Sequence, residues 1–169
     1  KGNIATGWAI VKEKWYRLNK DGIMQTKWQK VGPNWHYFTD SGAMKTGWLK
    51  DGAKWYYLDK NGNMQTEWTK VGGKWYFLDK NGAMKTGWLK DGSKWYFLDT
   101  SGAMQTGWEK VNGKWYFLDS NGAMKTNWLN LSGKWYLLAT DGSMQTGWKL
   151  VNKKWYYLYD SGQMAANTT

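Results

Sequence analysis

The 169-residue chain contains no cysteine, which excludes disulfide bonds and thiolate metal sites. It has one histidine and one proline, and no apolar run approaches the ~20 residues that a membrane-spanning helix needs. Leu, Ile and Val are scarce for a chain of this length. A core built mainly from branched aliphatic side chains is therefore excluded, and other side chains must supply most of the buried surface.

Aromatic side chains are abundant instead. Sixteen Trp and eleven Tyr contribute to an aromatic fraction of 18%, and each such ring can bury roughly 150–250 Å². Twenty-four Lys and Arg oppose thirteen Asp and Glu, so the net charge is +11. This excess favours polyanionic surroundings, such as nucleic acid, acidic lipid or a phosphate-rich wall polymer, and is equally compatible with a solvated surface.

A period of twenty residues runs through the whole chain. Gly and Met recur at this spacing, and two columns of Trp do so without a slip, at positions 8, 28, 48, 68, 88, 108, 128 and 148 and at positions 15, 35, 55, 75, 95, 115, 135 and 155. An unbroken period over eight copies predicts an array of eight repeats. We expect one domain over residues 1–169, which begins inside a repeat and whose last repeat ends near Met164.

Each repeat has the signals of a β-hairpin. The segment KWYFL suits a pleated strand, and the dipeptides Asp51-Gly52, Gly72-Gly73, Asp91-Gly92 and Asn112-Gly113 suit tight turns. We therefore predict an all-β fold, a solenoid of eight stacked hairpins of ~14 residues joined by ~6-residue loops. One variable column beside the Tyr is expected to be ordinary core; its members are Arg17, Phe38, Tyr57, Phe77, Phe97, Phe117, Leu137 and Tyr157.

The alternation of side chains along a strand predicts how the rings meet. Trp55 and Tyr56 must face opposite neighbours, and Trp48 is expected to share the face of Trp55. Each junction between hairpins would then gather two Trp and one Tyr. For any single Trp, a place in the core is the simpler interpretation. However, a purely structural interface would accept Leu, Ile or Phe, whereas both columns are Trp in all eight copies. This choice favours a box for a bulky methylated cation.

The recurring pattern TGW-x(4)-GKWYYLD-x-NGAMKTGW resembles the choline-binding repeat, the cell-wall-binding module of streptococcal surface proteins, autolysins and phage lysins. The resemblance extends from Lys1 to about Met164. It implies a left-handed superhelix of hairpins that binds choline or phosphocholine groups of wall and membrane teichoic acids between consecutive hairpins. It also implies an extracellular, cell-surface location, no cofactor, no metal, and room for a homodimer through a terminal repeat.

The resemblance assigns choline to boxes of two Trp and one Tyr. The boxes are Trp28, Trp35 and Tyr56; Trp48, Trp55 and Tyr76; Trp68, Trp75 and Tyr96; Trp88, Trp95 and Tyr116; Trp108, Trp115 and Tyr136; and Trp128, Trp135 and Tyr156. The thioethers expected beside them belong to Met64, Met84, Met104, Met124, Met144 and Met164. Filling a gap in the core is an equal alternative for these Met.

Two regions depart from the family pattern. At the first junction Trp8 and Trp15 meet His36 where Tyr is expected. A charged His would repel choline, so we expect a weak or absent site there, or one rebuilt around Tyr37. Lys27, Glu67 and Asn127 replace the Gly before Trp, and we expect these residues to distort their junctions, with Glu67 adding a carboxylate near the adjoining site.

Other functions fit the sequence less well. Catalysis is not expected, because the acids recur as turn residues such as Asp59 and Asp79 and the only histidine is His36; any catalytic domain would lie outside this chain. A carbohydrate-binding array of the glucan-binding type is the main alternative, since sugars also stack on rings. Nucleic-acid binding is disfavoured by the Asp in each repeat and by the inward-facing rings.

Overall fold

The computed structural model describes residues 4–166, which fold as sixteen five-residue strands in eight antiparallel hairpins. Within these residues the fold is all-β, as predicted, and no helix is present that could span a membrane. Residues 1–3, where the chain is expected to begin inside a repeat, lie outside the described part. The strands are β1 Gly7–Val11, β2 Lys14–Leu18, β3 Lys27–Val31, β4 Asn34–Phe38, β5 Gly47–Asp51, β6 Lys54–Leu58, β7 Glu67–Val71, β8 Lys74–Leu78, β9 Gly87–Asp91, β10 Lys94–Leu98, β11 Gly107–Val111, β12 Lys114–Leu118, β13 Asn127–Leu131, β14 Lys134–Leu138, β15 Gly147–Val151 and β16 Lys154–Leu158.

The chain divides into two compact units, one ending at Lys85 and the other beginning at Thr86. Each unit contains four hairpins, β1–β8 in the first and β9–β16 in the second. The expectation of one continuous domain and of a left-handed superhelix stays a prediction.

Two-residue turns close the hairpins, and two of them lie one residue later than predicted. Asp51 is the last residue of β5 and pairs with Lys54, so the turn consists of Gly52 and Ala53. Gly52 has a φ of 60°, and only the first turn residue must adopt positive φ in a type II′ turn, which favours Gly there. The side chain of Asp51 therefore belongs to the sheet face and not to the turn.

The pairing register places the rings on opposite faces of each hairpin, as the alternation predicts. Trp48 lies opposite Tyr57, and Lys50 lies opposite Trp55, so these four side chains share one face. Tyr56 occupies the other face. Every hairpin therefore presents two Trp side chains on one face. The other face carries a Tyr side chain, or His36 in the second hairpin.

The loops between hairpins are built around a side-chain cap. Asp59 Oδ1 accepts hydrogen bonds from the backbone N–H groups of Asn61 and Asn63, at 2.8 and 2.9 Å. An Asp that bonds its own backbone two residues on is typical of an Asx turn. The chain leaves the strand immediately after Leu58, so the hairpins are shorter and the loops longer than predicted. The loop then returns to the previous hairpin, where the N–H of Met64 donates to the carbonyl of Trp35 at 2.8 Å.

The core is a column of residues next to the one predicted. The fully buried side chains are Phe38, Leu58, Leu78, Leu98, Leu118, Leu138 and Leu158. These residues end the second strands, on the face that carries the Tyr. Of the predicted core column, Tyr57 and Phe77 are only half-buried, because they stand beside the Trp pair on the opposite face. The prediction for this column was wrong, except at Phe38.

The repeated Gly and Met are explained by one contact. Gly62 has a φ of 77°, and a Cβ at this residue would overlap the thioether of Met44 from the preceding repeat. The same relationship links Gly142 to Met124. Met therefore fills a gap left by Gly, so the two columns must recur together.

The three replacements of Gly before Trp do not distort their hairpins. Lys27, Glu67 and Asn127 adopt the same left-handed backbone as Gly, with φ of 62°, 62° and 64°. Each keeps the strand register, so that Glu67 pairs with Leu78 as Gly47 pairs with Leu58. Holding a residue with a Cβ in this left-handed conformation costs about 1–2 kcal/mol of backbone strain.

Candidate cation-binding boxes

Rings from consecutive hairpins converge within each unit. The Trp48 ring lies 6.5 Å from Trp55 on its own hairpin and 4.8 Å from Tyr76 on the next, both edge to face. We call such a group a box and name it by its first Trp, so these three residues form the Trp48 box.

Four further predicted boxes have the same geometry. The centroid distances from the first Trp to the Tyr of the next hairpin are 4.9 Å for Trp28–Tyr56, 4.8 Å for Trp88–Tyr116, 5.1 Å for Trp108–Tyr136 and 4.9 Å for Trp128–Tyr156. The predicted group of Trp68, Trp75 and Tyr96, with Met104, takes residues from both units and stays a prediction.

The second Trp of each box is not a core residue. Trp55, Trp95 and Trp115 are each 40% exposed, whereas the Leu beside them in the fold are fully buried. Exposed apolar groups that cluster together mark interaction sites, and these rings lie exposed beside other rings at the same place in every copy. Exposure therefore separates the two interpretations that the sequence left open, and it favours a binding box.

The Trp88 box lines an open cavity of about 290 Å³ to which three repeats contribute. Trp88 and Trp95 come from one hairpin and Tyr116 from the next, whose following loop adds Met124. The rim consists of Thr140 and Asp141, in the loop after the third hairpin. The sequence predicts the first two contributions and misses the rim, because the residues there vary between repeats and lie two hairpins away from the Trp pair.

Backbone bonding places the Met at its box. The N–H of Met124 donates to the carbonyl of Trp95 at 2.8 Å. Met64, Met84, Met144 and Met164 make the same bond to the second Trp of their boxes. The two roles considered for Met therefore coincide at Met124, whose thioether packs against Gly142 and also lines the cavity.

At the first junction His36 takes the place of Tyr. Its ring lies 5.2 Å from that of Trp8, edge to face, and the side chain is 5% exposed. His36 Nδ1 lies 3.0 Å from the carbonyl oxygen of Gly62, which requires a proton on that nitrogen. Burial lowers the pKa of His36, Asp59 opposes this effect, and Arg17 adds to it.

The first box therefore has a neutral imidazole against Trp8. Trp8, Trp15 and Met44 line a cavity of about 360 Å³, with Lys60 and Asn61 at the rim. Tyr37, the alternative wall, lies on the other face of its hairpin, 5.2 Å from Trp28.

Lysine side chains stand beside the exposed Trp rings. The ammonium of Lys50 lies 5.9 Å from the Trp55 ring, and Lys90 lies 6.0 Å from Trp95 across the strand pair. In these cation–π contacts the lysine ammonium covers part of the Trp ring at the edge of the box. A ligand cation must approach the remaining ring surface against one nearby positive charge.

The Trp28 box has a carboxylate that is hydrogen-bonded to its first Trp. Asp51 Oδ2 accepts a hydrogen bond of 2.9 Å from the indole Nε1–H of Trp28. Burial raises the pKa of Tyr56 in the same box, and the charges of Asp51 and Asp79 raise it further. The corresponding residue facing Trp48 is Val71.

The last hairpin carries an unpaired half-box. Trp148 and Trp155 are 65% and 63% exposed, well above the Trp of completed boxes. No Tyr from a following hairpin lies against them within residues 4–166. Their exposure shows how far the two Trp rings of a hairpin are open to solvent when no following hairpin covers them.

Two family models match the sequence. The model described as a choline-binding repeat matches residues 25–67, 65–106 and 126–168. A second model, a cell wall binding repeat, matches residues 6–24 and 106–124. No curated protein sequence matches the chain.

Several solved structures are similar. CbpJ from Streptococcus pneumoniae is 38% identical with a TM-score of 0.90, over 99% of this chain and 68% of CbpJ. Choline binding protein F from Streptococcus pneumoniae, solved with a peptidoglycan analogue, is 43% identical with a TM-score of 0.85, over 92% of this chain and 57% of that protein. The pneumococcal cell wall endolysin from phage Cp-1, complexed with choline, is 37% identical with a TM-score of 0.52, over 72% of this chain and 37% of the endolysin.

Proposed function

Because the chain belongs to the choline-binding repeat family, we propose that it is a non-catalytic module that anchors its protein to the cell surface. Its ligands are the choline groups of teichoic and lipoteichoic acids, which enter the aromatic boxes. The observation that carries this proposal is a Trp pair with an exposed second ring, closed by a Tyr and a Met from the next repeat, as in the Trp88 box.

The walls of a box suit a quaternary ammonium. The Trp88 cavity is lined by three rings and a thioether, and its polar residues, Thr140 and Asp141, stand at the rim. Trp faces attract a cation by about 0.5–2 kcal/mol each, and a trimethylammonium group has no N–H that needs an acceptor. A sugar would need several convergent polar groups instead, so a carbohydrate array is less well supported.

The affinity of one box must be low and the number of boxes must compensate. Three ring contacts, less the cost of association, correspond to a Kd of roughly millimolar for free choline. A polymer with many choline groups can occupy several boxes of one chain, which gains about 10²–10⁴ in avidity. The net charge of +11 adds attraction to the phosphates of such a polymer, and that part weakens with salt.

Intrinsic Trp fluorescence at high salt tests the proposal. Choline should give a saturable change and ethanolamine, its unmethylated counterpart, much less. The purified chain should also sediment with cell walls that contain choline-bearing teichoic acid, and free choline should release it. A saturable response to glucan oligosaccharides without one to choline would replace the proposal with the carbohydrate alternative.

Two variants at equivalent positions show whether the boxes are responsible. Trp95→Leu removes a wall of the Trp88 box, whereas Trp155→Leu removes a ring that has no closing Tyr in this chain. The number of choline molecules bound at saturation should fall by one for Trp95→Leu and stay the same for Trp155→Leu. Equal loss in both variants would show that single exposed Trp rings, not boxes, bind the ligand.

The remaining parts of the proposal concern the whole protein. Any catalytic activity of the protein belongs to another domain, in keeping with the endolysin, of which this chain spans 37%. The exposed rings of Trp148 and Trp155 offer a face for a homodimer. A concentration-dependent sedimentation coefficient that a Trp148→Ser variant abolishes would support such a dimer.

A further inference from the structure

The junction of the first two hairpins has a second cavity, separate from the aromatic boxes. It is open, has a volume of about 370 Å³, and is lined by residues of β1, β2 and β3 and of the loop between β2 and β3. Its cationic side chains belong to Arg17, Lys20 and Lys30, and none of the described residues that line it is aromatic or acidic. We call it the Arg17 cavity.

Arg17 is the one arginine of the chain, and the equivalent residue of every other repeat is Tyr, Phe or Leu. Its guanidinium carbon lies 5.6 Å from the Trp8 ring centroid, and a Cβ at Gly7 would lie 3.2 Å from one of its guanidinium nitrogens. No salt bridge joins it to a carboxylate within residues 4–166. The half-buried guanidinium is therefore held by Trp8 and Gly7, and no anionic side chain of these residues neutralises it.

Two side-chain amides add hydrogen-bond donors to the lining. Gln25 Nε2 donates to the carbonyl of Ile23, and Gln29 Nε2 donates to the carbonyl of Thr26, both at 2.9 Å. An amide NH₂ group has two N–H donors, so each bond holds the amide in place and leaves one donor for a ligand. Both glutamines line the cavity.

The loop cap at this cavity is neutral. Asn19 Oδ1 accepts hydrogen bonds from the backbone N–H groups of Asp21 and Ile23, both at 2.9 Å, and the same residue lines the cavity. The cap residues that are acidic in other repeats are Asp59, Asp79, Asp99 and Asp119. The first loop therefore keeps the cap without the negative charge that an Asp would bring to the cavity.

Acidic residues near the cavity reduce its charge but do not balance it. Asp21 lies in the exposed loop, Asp40 is paired with the ammonium of Lys27 at 2.6 Å, and Asp59 accepts hydrogen bonds from its own loop. None of these three carboxylates lines the cavity. Even with Asp21 counted, three positive charges stand against one negative charge. The Arg17 cavity therefore favours an anion.

We propose that the Arg17 cavity binds the phosphate group of an organic phosphate ester, at a site separate from the boxes. A guanidinium can bind two phosphate oxygens at once, as Arg17 would here. Lys20 and Lys30 supply point charges, and Gln25 and Gln29 supply N–H donors. A carboxylate has too few oxygens to use all of these groups. The cavity is also much larger than a phosphate group, so the remaining space accepts the esterified part.

The single arginine makes a direct test possible. Its side-chain Nε–H gives one signal in a ¹H–¹⁵N spectrum, which needs no further assignment. Inorganic phosphate, glycerol 3-phosphate and acetate are titrated separately at constant ionic strength. Glycerol 3-phosphate should shift the signal saturably and bind more tightly than inorganic phosphate, and acetate should bind more weakly than either. Saturating choline should not compete, because no ring of a box lines the cavity.

Matched variants test the role of charge. Asn19→Asp installs the cap of four other repeats, and affinity for glycerol 3-phosphate should fall about two- to fivefold. Thr39→Asp makes the same change in net charge at the next cap, outside the cavity lining, and should leave the affinity unchanged. Arg17→Tyr installs the residue of the next two repeats and should lower the affinity about tenfold, measured through the side-chain amide signal of Gln29.

Several results would overturn the proposal. A shift of the Arg17 signal that never saturates, or equal losses for Asn19→Asp and Thr39→Asp, would mean that the overall positive charge attracts anions without a site. Acetate binding as tightly as glycerol 3-phosphate would contradict the phosphate assignment. Equal affinities for glycerol 3-phosphate and inorganic phosphate would contradict the assignment of an ester. The indole signals of the boxes report choline independently, so failure of this proposal and failure of the proposed function are distinguishable.

Discussion

The indole of Trp28 donates a hydrogen bond to the carboxylate of Asp51 on the next hairpin, at 2.9 Å. This bond links two repeats and places a negative charge at the edge of the Trp28 box. The Trp48 box has Val71 at the same position. Two neighbouring boxes with the same rings therefore differ in electrostatics.

Replacing this carboxylate should weaken cation binding at one box. Asp51→Asn keeps an acceptor for the indole but removes the charge, and affinity for choline at the Trp28 box should fall about two- to fivefold. Titration followed through the Trp28 indole signal measures the effect. The signal of Trp48 provides the internal control and should titrate as in the unmodified chain. An unchanged affinity at Trp28 would mean that Asp51 serves only to orient the ring.

Acidification should destabilise the first unit through His36. Burial lowers the pKa of His36 below the ordinary value of about 6.5, so the unfolded chain binds the proton more tightly than the folded chain. The free energy of unfolding is therefore at its full value above about pH 6.5 and decreases as the pH falls below it, until His36 also protonates in the folded state. Choline affinity at the Trp8 box should fall only at the lower pH at which His36 protonates in the folded state, because the protonated imidazole repels the ligand.

The matched variant for this pH dependence is His36→Tyr, which installs the residue found at the same place in the other closed boxes. Denaturant titrations at pH 7.5 and pH 5.5 should show a smaller difference in unfolding free energy for the variant than for the parent chain. If both chains respond equally, the loss of stability comes from the carboxylates of the loops and not from His36.

Restoring a glycine should stabilise the fold. Glu67 has a φ of 62° at a position that is Gly in most repeats, and Glu67→Gly should raise the free energy of unfolding by about 1 kcal/mol, because the strain of the left-handed backbone is relieved. Asn127→Gly should give a smaller gain, since Asn tolerates this conformation better. Thermal or urea unfolding measures both changes, and a loss of stability for Glu67→Gly would contradict the explanation.

Packing between Gly and Met can be separated from backbone strain. Gly142→Ala forces a Cβ into the Met124 thioether at a φ of 83°, whereas Gly147→Ala meets nothing within 4 Å at a φ of 73°. Backbone strain should lower the free energy of unfolding of both variants by about 1–2 kcal/mol. Gly142→Ala should lower it further, because of the contact with Met124, and should also weaken choline binding at the Trp88 box. Equal losses with unaltered binding would show that Met124 moves aside without cost.

The sequence predicts most of the architecture because its period is unbroken. Strand alternation alone places Trp48 and Trp55 on one face and Tyr56 on the other, and the pairing register agrees. The core column was misplaced by one residue, because Tyr57 and Leu58 are both apolar and only the register shows which face each occupies. The choice between core and box also required the structure, since exposure of Trp55 cannot be deduced from its identity.

Contributions from distant loops could not be predicted. Lys60 and Thr140 occupy the same place at the rims of two boxes but share no chemistry. The state of His36 was also uncertain from the sequence: the prediction of a weak site assumed a charged ring, whereas burial and the bond to Gly62 favour the neutral form. Whether the Trp8 box binds choline weakly stays a prediction.

The rim described for the Trp8 and Trp88 boxes means that a binding site does not coincide with a repeat. One repeat supplies the Trp pair, the second closes the box, and the loop after the third completes the lining. A substitution in that loop, at Lys60 or Asp141, therefore changes the lining of a box two repeats upstream while every ring stays in place. Deleting a repeat from such an array would therefore remove part of the lining of an earlier box as well as reduce the number of boxes.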